Sequence, residues 1–242
     1  MKQIFAGMHY FISGFSLITK PGIKRYVFMP LLINALVFIS LFLVFRHYVS
    51  LFNNWFALYL PVWLQWLSAI LWLLFIISFI LFFITTFVIF ANIISAPFNS
   101  LLSEAVENYL CGKTFPPRSL FENIKDIPRI IGRQFAVLIY YALRMLLVLI
   151  LFLIPLTQPI ATIVWFLFSA WFVTLTYLDY PSDNHRVSFF ATKNQLHDYR
   201  LTGFGFGITV LVVTMIPGLN LLVIPAAVAG ATEFWLRVFP KK

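Results

Sequence analysis

No Lys, Arg, Asp or Glu occurs between Arg46 and Glu104. Two further uncharged stretches lie between Arg144 and Asp179 and between Arg200 and Glu233. A soluble domain, with about a quarter of its residues charged, has no place for such runs. A bilayer demands them, because a crossing helix needs about 20 apolar residues. The chain of 242 residues is 62% hydrophobic and 10% charged, which extends the same argument to its full length. The N-terminus lacks the short apolar stretch and small-residue site of a cleaved signal. The expected fold is an all-α integral membrane protein forming one membrane domain, residues 1–242.

The net charge of +9 would suit a nucleic-acid partner, but the cations do not interleave with a soluble fold. Nearly all fall in 1–25, 104–133, 179–200 and 237–242. All four segments lie on one side if two spans are followed by two returning hairpins. The positive-inside rule makes that side cytoplasmic, with both termini and the basic loops, and leaves no call for nucleic acid. Six full spans would give the same sidedness. The single cysteine, Cys111, excludes an intramolecular disulfide and any Cys-based metal cage, and reads as a free thiol.

Residues 1–20 carry Phe5, Met8, Phe11, Ile12 and Phe15 on roughly one face, the pattern of a helix lying in the interface. After Pro21-Gly22 an apolar run covers about 26–45, with Pro30 in its first turns. An aromatic linker over 46–60 holds Tyr48, Trp55 and Tyr59, with Trp63 just beyond, as at a membrane interface. Pro61 opens a second long helix to about 94, and Ser95-Ala96-Pro97-Phe98 breaks or redirects it. In the amphipathic helix that follows, Leu101, Ala105 and Tyr109 form one apolar row and Leu102, Val106 and Leu110 the next. Glu104, Glu107 and Asn108 face elsewhere, and Gly112 ends the helix. Ser119 and Glu122 read as a capping box, and Pro128 as a kink.

Two hairpins follow. The first has arms at 135–154 and 160–178 around Pro155, the second at 204–216 and 221–236 around Pro217-Gly218-Leu219-Asn220. Neither tip carries a charge, and the second pair of arms is shorter than a typical span. The second hairpin therefore reads as re-entrant; the arms of the first are long enough to cross.

The candidate sites start with Lys20-Pro21-Gly22-Ile23-Lys24-Arg25, a basic turn feeding a long helix. A helix N-terminus carries unpaired N–H donors and about half a positive charge, so cations there make a site for phosphate or sulfate. The bland alternative is a helix start with anchoring charges. Arg144 and Glu233 stand at similar depth in apolar arms and read as a buried ion pair or as points on an ion path. Arg129 and Arg133 read as snorkelling interface residues. Asp179, Asp183 and His185 match no metal motif; a turn at Pro181 with a cap at Asp183 or Asn184 fits better. Gly203, Gly205 and Gly207 lack the βαβ context of a nucleotide loop. Gly203 with Gly207, and Ala226 with Gly230, fit close helix packing. No catalytic residue, metal or cofactor is called for, and there is no ATP-binding motif.

The chain resembles the CysZ family of bacterial inner-membrane sulfate permeases. The resemblance rests on the basic turn followed by Pro30-Leu31-Leu32-Ile33-Asn34, on Ser95-Ala96-Pro97-Phe98 with Glu104 and Glu107, on the residues from Leu178 to His185, and on Gly205 through Pro217-Gly218-Leu219-Asn220. It implies two long transmembrane helices plus two helical hairpins that only partly penetrate the bilayer. It also implies sulfate import for cysteine synthesis, and a sulfate site at Gly22, Ile23, Lys24 and Arg25. Ile23 and Lys24 stand where the family usually has Leu and Arg; Lys supplies charge but no bidentate fork. A homo-oligomer in the lipid bilayer is expected. The competing reading is a non-transporting scaffold whose basic turn binds anionic lipid.

Overall fold

The structure, a computed structural model, describes residues 2–59, 65–112 and 120–239. Every regular element among them is helical: α1 (Lys2–Ile18), α2 (Lys24–Tyr59), α3 (Gln65–Cys111), α4 (Leu120–Leu153), α5 (Gln158–Asn184), α6 (Phe189–Asp198), α7 (Arg200–Thr214) and α8 (Asn220–Val238). A 3₁₀ turn at Pro155–Thr157 joins α4 to α5. Among the described residues, five helices contain stretches long and apolar enough to cross a membrane: α2, α3, α4, α5 and α8. Helix α7, with 15 residues, reaches only roughly 22 Å at 1.5 Å per residue. The opening at Pro61, the capping box of Ser119 and Glu122, the kink at Pro128 and the side chains of Trp55, Tyr59, Trp63 and Arg129 lie outside what is described.

Two helix boundaries differ from the sequence reading. The supposed linker over 46–60 is helical to Tyr59, because neither Gly nor Pro interrupts the chain between Pro30 and Pro61. Likewise Pro97 lies inside α3, which runs on to Cys111 before Gly112 ends it at φ 62°.

The chain forms two compact units. One is Arg25–Phe98, an antiparallel pair of long helices. Its seam is aromatic: Phe38 meets Phe87 edge-on at 5.4 Å, Phe45 meets Phe79 at 4.9 Å, and Phe52 stacks on Phe75 at 3.7 Å. Asn34 donates to Ser95 Oγ at 3.3 Å, closing the register at the other end.

The other unit is Met1–Lys24 with Asn99–Lys242, and it holds most of the buried residues. Helix α1 packs on both α7 and α8 through glycines. A Cβ built on Gly14 would stand 2.0 Å from the Ala226 carbonyl oxygen, and one on Gly205 2.1 Å from that of Ile4. Gly230 approaches Tyr10 and Gly7 approaches Thr202 equally closely, while Gly207 lies against Ala170 of α5. The face of α1 that is buried is thus Gly7, Phe11, Gly14, Leu17 and Ile18. Phe5 and Ile12, read above as part of the apolar face, are exposed. Close backbone approach needs small residues, and Gly207, Ala226 and Gly230 supply it at their contacts.

Candidate functional site

Lys20, Pro21, Gly22 and Ile23 form a type II turn: proline at the second position, glycine at the third with φ 85°, and Ile23 N–H donating to the Lys20 carbonyl at 3.2 Å. The Lys24 N–H reaches the same oxygen at 3.3 Å. Two of the donors expected at this helix start are thereby engaged by the turn itself. Ile23 is buried and holds the turn in place; Gly22 and Lys24 are exposed. Arg25, exposed at the start of the other unit, donates to the Tyr26 hydroxyl at 2.8 Å and lies 4.7 Å from that ring's centroid. Beside it an apolar groove of about 450 Å³ is lined by Phe28, Met29, Leu31 and Leu32.

The expected pair of Arg144 and Glu233 is not formed. Glu233 accepts from Arg237 Nε at 2.7 Å, one turn along its own helix, and from the Ser13 hydroxyl of α1. Arg237, at i,i+4 on the same helix, supplies the cation that Arg144 does not. Burial pushes the nearby Tyr10 phenol above its usual range, with Arg237 opposing and Glu233 adding to the rise. Arg144 instead folds onto Tyr140 of its own helix, with Cζ 3.6 Å from the ring centroid.

Arg133 is no snorkelling residue either. Its side chain is 6% exposed and its Nη2 meets Asp179 Oδ1 at 2.6 Å. Nε bonds both Asp179 oxygens at 3.0 Å, and Nη1 reaches Asp183 at 3.6 Å and donates to the Val187 carbonyl. Helix α5 passes through Pro181 to Asn184, so no turn starts there. Asp179 and Asp183 serve Arg133, while His185 lies 2.8 Å from Glu107. Among the described residues no His, Cys, Asp and Glu cluster fit to hold a metal converges.

A polar seam accompanies the apolar rows of the third helix. It runs along α3 at Asn99, Ser100, Ser103 and Glu107, all within the unit that contains α5 and α8. Asn99 donates to the Tyr180 hydroxyl at 3.2 Å, Ser100 to Asn184 at 2.8 Å, and Ser103 shares a 2.9 Å hydrogen bond with Thr232. Glu107 holds His185, whose ring stacks on Trp235 at 4.4 Å. The signal was Ser103 and Glu107, four residues apart on the stripe opposite the exposed Leu101 and Tyr109. A membrane helix turns such a stripe inward, where its groups find partners.

Residues 10–225 match the family described as "Sulfate transporter CysZ/Etoposide-induced protein 2.4". A relative from Pectobacterium atrosepticum named "Sulfate transporter CysZ" is 40% identical over 235 residues, covering 96% of this chain and 84% of its own length. The matched stretch includes the whole basic turn and Arg144 and stops short of Glu233.

Proposed function

The chain belongs to the sulfate transporter CysZ/etoposide-induced protein 2.4 family, and from that premise we propose that it admits sulfate across a bacterial inner membrane for assimilation into cysteine. The observation that carries this reading is the relative's identity across nearly the whole chain. Sulfate binds at Gly22, Ile23, Lys24 and Arg25 on the cytoplasmic side. The turn fixes the backbone there, Lys24 and Arg25 supply charge at the positive end of α2, and Arg25 offers the guanidinium fork that Lys24 lacks. Without an ATP-binding motif, energy comes from ion gradients or from consumption of sulfate inside the cell, and channel-like permeation is what the family resemblance implies. The protein acts as a homo-oligomer with basic loops and both termini in the cytoplasm.

Flux of sulfate into liposomes containing only this protein tests the proposal. Lys24→Ala with Arg25→Ala should reduce sulfate binding at least tenfold, as roughly 1.4 kcal/mol lost from an anion site would give, with the helical content unchanged. Unaltered binding in the double variant would remove the site from the turn. The second reading, a scaffold holding anionic lipid, draws on the apolar groove beside Arg25. It requires that the wild type show no flux and that the double variant lose affinity for anionic vesicles instead.

We also propose that the second hairpin penetrates only part of the bilayer. Helix α7 is short, and its tip turns on Gly218 at φ 85° without a charge. A cysteine at Asn220, with Cys111→Ser in the background, should resist a membrane-impermeant thiol reagent added from the periplasmic side. Labelling as fast as that of a cysteine at Asn54 would instead favour six full spans.

A further inference from the structure

Arg144 lies within the apolar stretch Gly132–Leu153, three turns and roughly 16 Å beyond Arg133. Its side chain is exposed. It folds back toward the Arg133 end: Nη1 reaches the Tyr140 carbonyl at 3.3 Å, and the guanidinium lies over the Tyr140 ring. A second cation arrives from α6, where Lys193 Nζ stands 5.9 Å from the centroid of the same ring. The ring is a fixed platform. Tyr140 is 7% exposed, its hydroxyl accepts from Trp171 Nε1 at 3.0 Å, and Phe189 packs against it edge-on at 5.4 Å.

Neither cation has an acidic partner among the described residues. Asp179 and Asp183 are held by Arg133, Glu107 by His185 and Glu233 by Arg237. Around the two charges the surface is apolar and open: Leu143 and Leu147 on α4 and Phe190 on α6 are all more than half exposed. Two cations without an acidic partner among the described residues are costly within such a surface unless the surroundings neutralise them. The surroundings of an exposed apolar face in a membrane protein are lipid.

We propose that Arg144 and Lys193 bind the phosphate of an anionic phospholipid whose acyl chains lie along Leu143 and Leu147. With Nη1 on the Tyr140 carbonyl, the Arg144 guanidinium still has its Nε and Nη2 edge to fork a phosphodiester, and Lys193 adds a point charge from the neighbouring helix. The backward reach of Arg144 carries its charge toward headgroup depth. A zwitterionic lipid fits less well, because its own ammonium competes for the phosphate. Free sulfate fits less well too, having no tails to cover the apolar surround. The site is separate from the basic turn and does not depend on what the protein transports.

Native mass spectrometry of the full chain, titrated with phosphatidylglycerol or phosphatidylcholine, tests this. The wild type should prefer phosphatidylglycerol, and Arg144→Gln with Lys193→Gln should lose roughly tenfold or more of that preference, as two near-surface cations would give. Arg200→Gln, an exposed cation outside the cluster, should change nothing. The charge-preserving pair Arg144→Lys and Lys193→Arg should keep most of the preference. The proposal is overturned if the Gln pair binds like wild type. It is equally overturned if the charge-preserving pair loses as much as the Gln pair, or if excess sulfate displaces the lipid competitively, since the site would then serve small anions.

Discussion

Gly14→Ala, the smallest side chain that can be added, is expected to unseat α1. Helix propensity alone favours the change by up to about 1 kcal/mol. Against it, the new Cβ would stand 2.0 Å from the Ala226 carbonyl oxygen and 3.0 Å from the Gly230 nitrogen. An ordinary carbon–oxygen contact is about 3.3 Å or more, so α1 and α8 must separate by about 1 Å. The neighbour is backbone and cannot rotate away. Separation would also loosen Phe11, fully buried against Phe206, and the stacking of Tyr10 on Phe234 at 5.3 Å. Forced overpacking costs about 1–3 kcal/mol, and a contact this close belongs at the upper end. The clash therefore wins. Gly132→Ala on α4 is the matched control: nothing among the described residues lies within 4 Å of its Cβ, so propensity alone acts and stability should hold or rise. Thermal unfolding in detergent measures both. A Gly14→Ala protein as stable as Gly132→Ala would mean that α1 does not rest on α8 as described.

The glycines explain which parts of the fold were legible. Uncharged runs announced the long helices, because a bilayer tolerates nothing else over such lengths. The Pro21-Gly22 and Pro217-Gly218 turns were equally readable, since each needs a glycine at φ 85°. The buried face of α1 was misread because hydrophobic weighting favours Phe5 and Ile12, while the contact is made by Gly7 and Gly14. In lipid, apolar side chains gain little by facing inward, and close backbone approach decides the interface. The same inversion hid the seam of Asn99, Ser103 and Glu107. Depth along the chain suggested that Arg144 and Glu233 would meet. Arg237, four residues from Glu233, was the nearer claimant, and a span position says nothing of which way a side chain faces.

Arg133→Met should be the most damaging single change of a charged residue. The guanidinium closes three contacts at once, to Asp179, Asp183 and the Val187 carbonyl. Removing it leaves the Asp179 side chain, 18% exposed, without its bidentate partner, and frees the turn that leads into α6. Breaking one side of a buried pair costs about 3–5 kcal/mol, chiefly from the charge left behind. That origin makes a distinct prediction. Adding Asp179→Asn to Arg133→Met should restore part of the stability, because the stranded charge is gone. Arg133→Lys should fall between wild type and Met, since an ammonium keeps the charge but cannot hold a carboxylate fork and a carbonyl together. An arginine that merely snorkelled at the interface would give a different pattern. Its loss would cost about 1 kcal/mol or less, as for exposed ion pairs, and Asp179→Asn would add to that cost instead of relieving it. Denaturation of the four proteins in one detergent separates the two cases by the sign of the coupling. That sign also bears on Lys193: the Val187 carbonyl lies just before the Ser188 cap of α6, so loosening it should weaken the α6 contribution to any ligand held beside Tyr140.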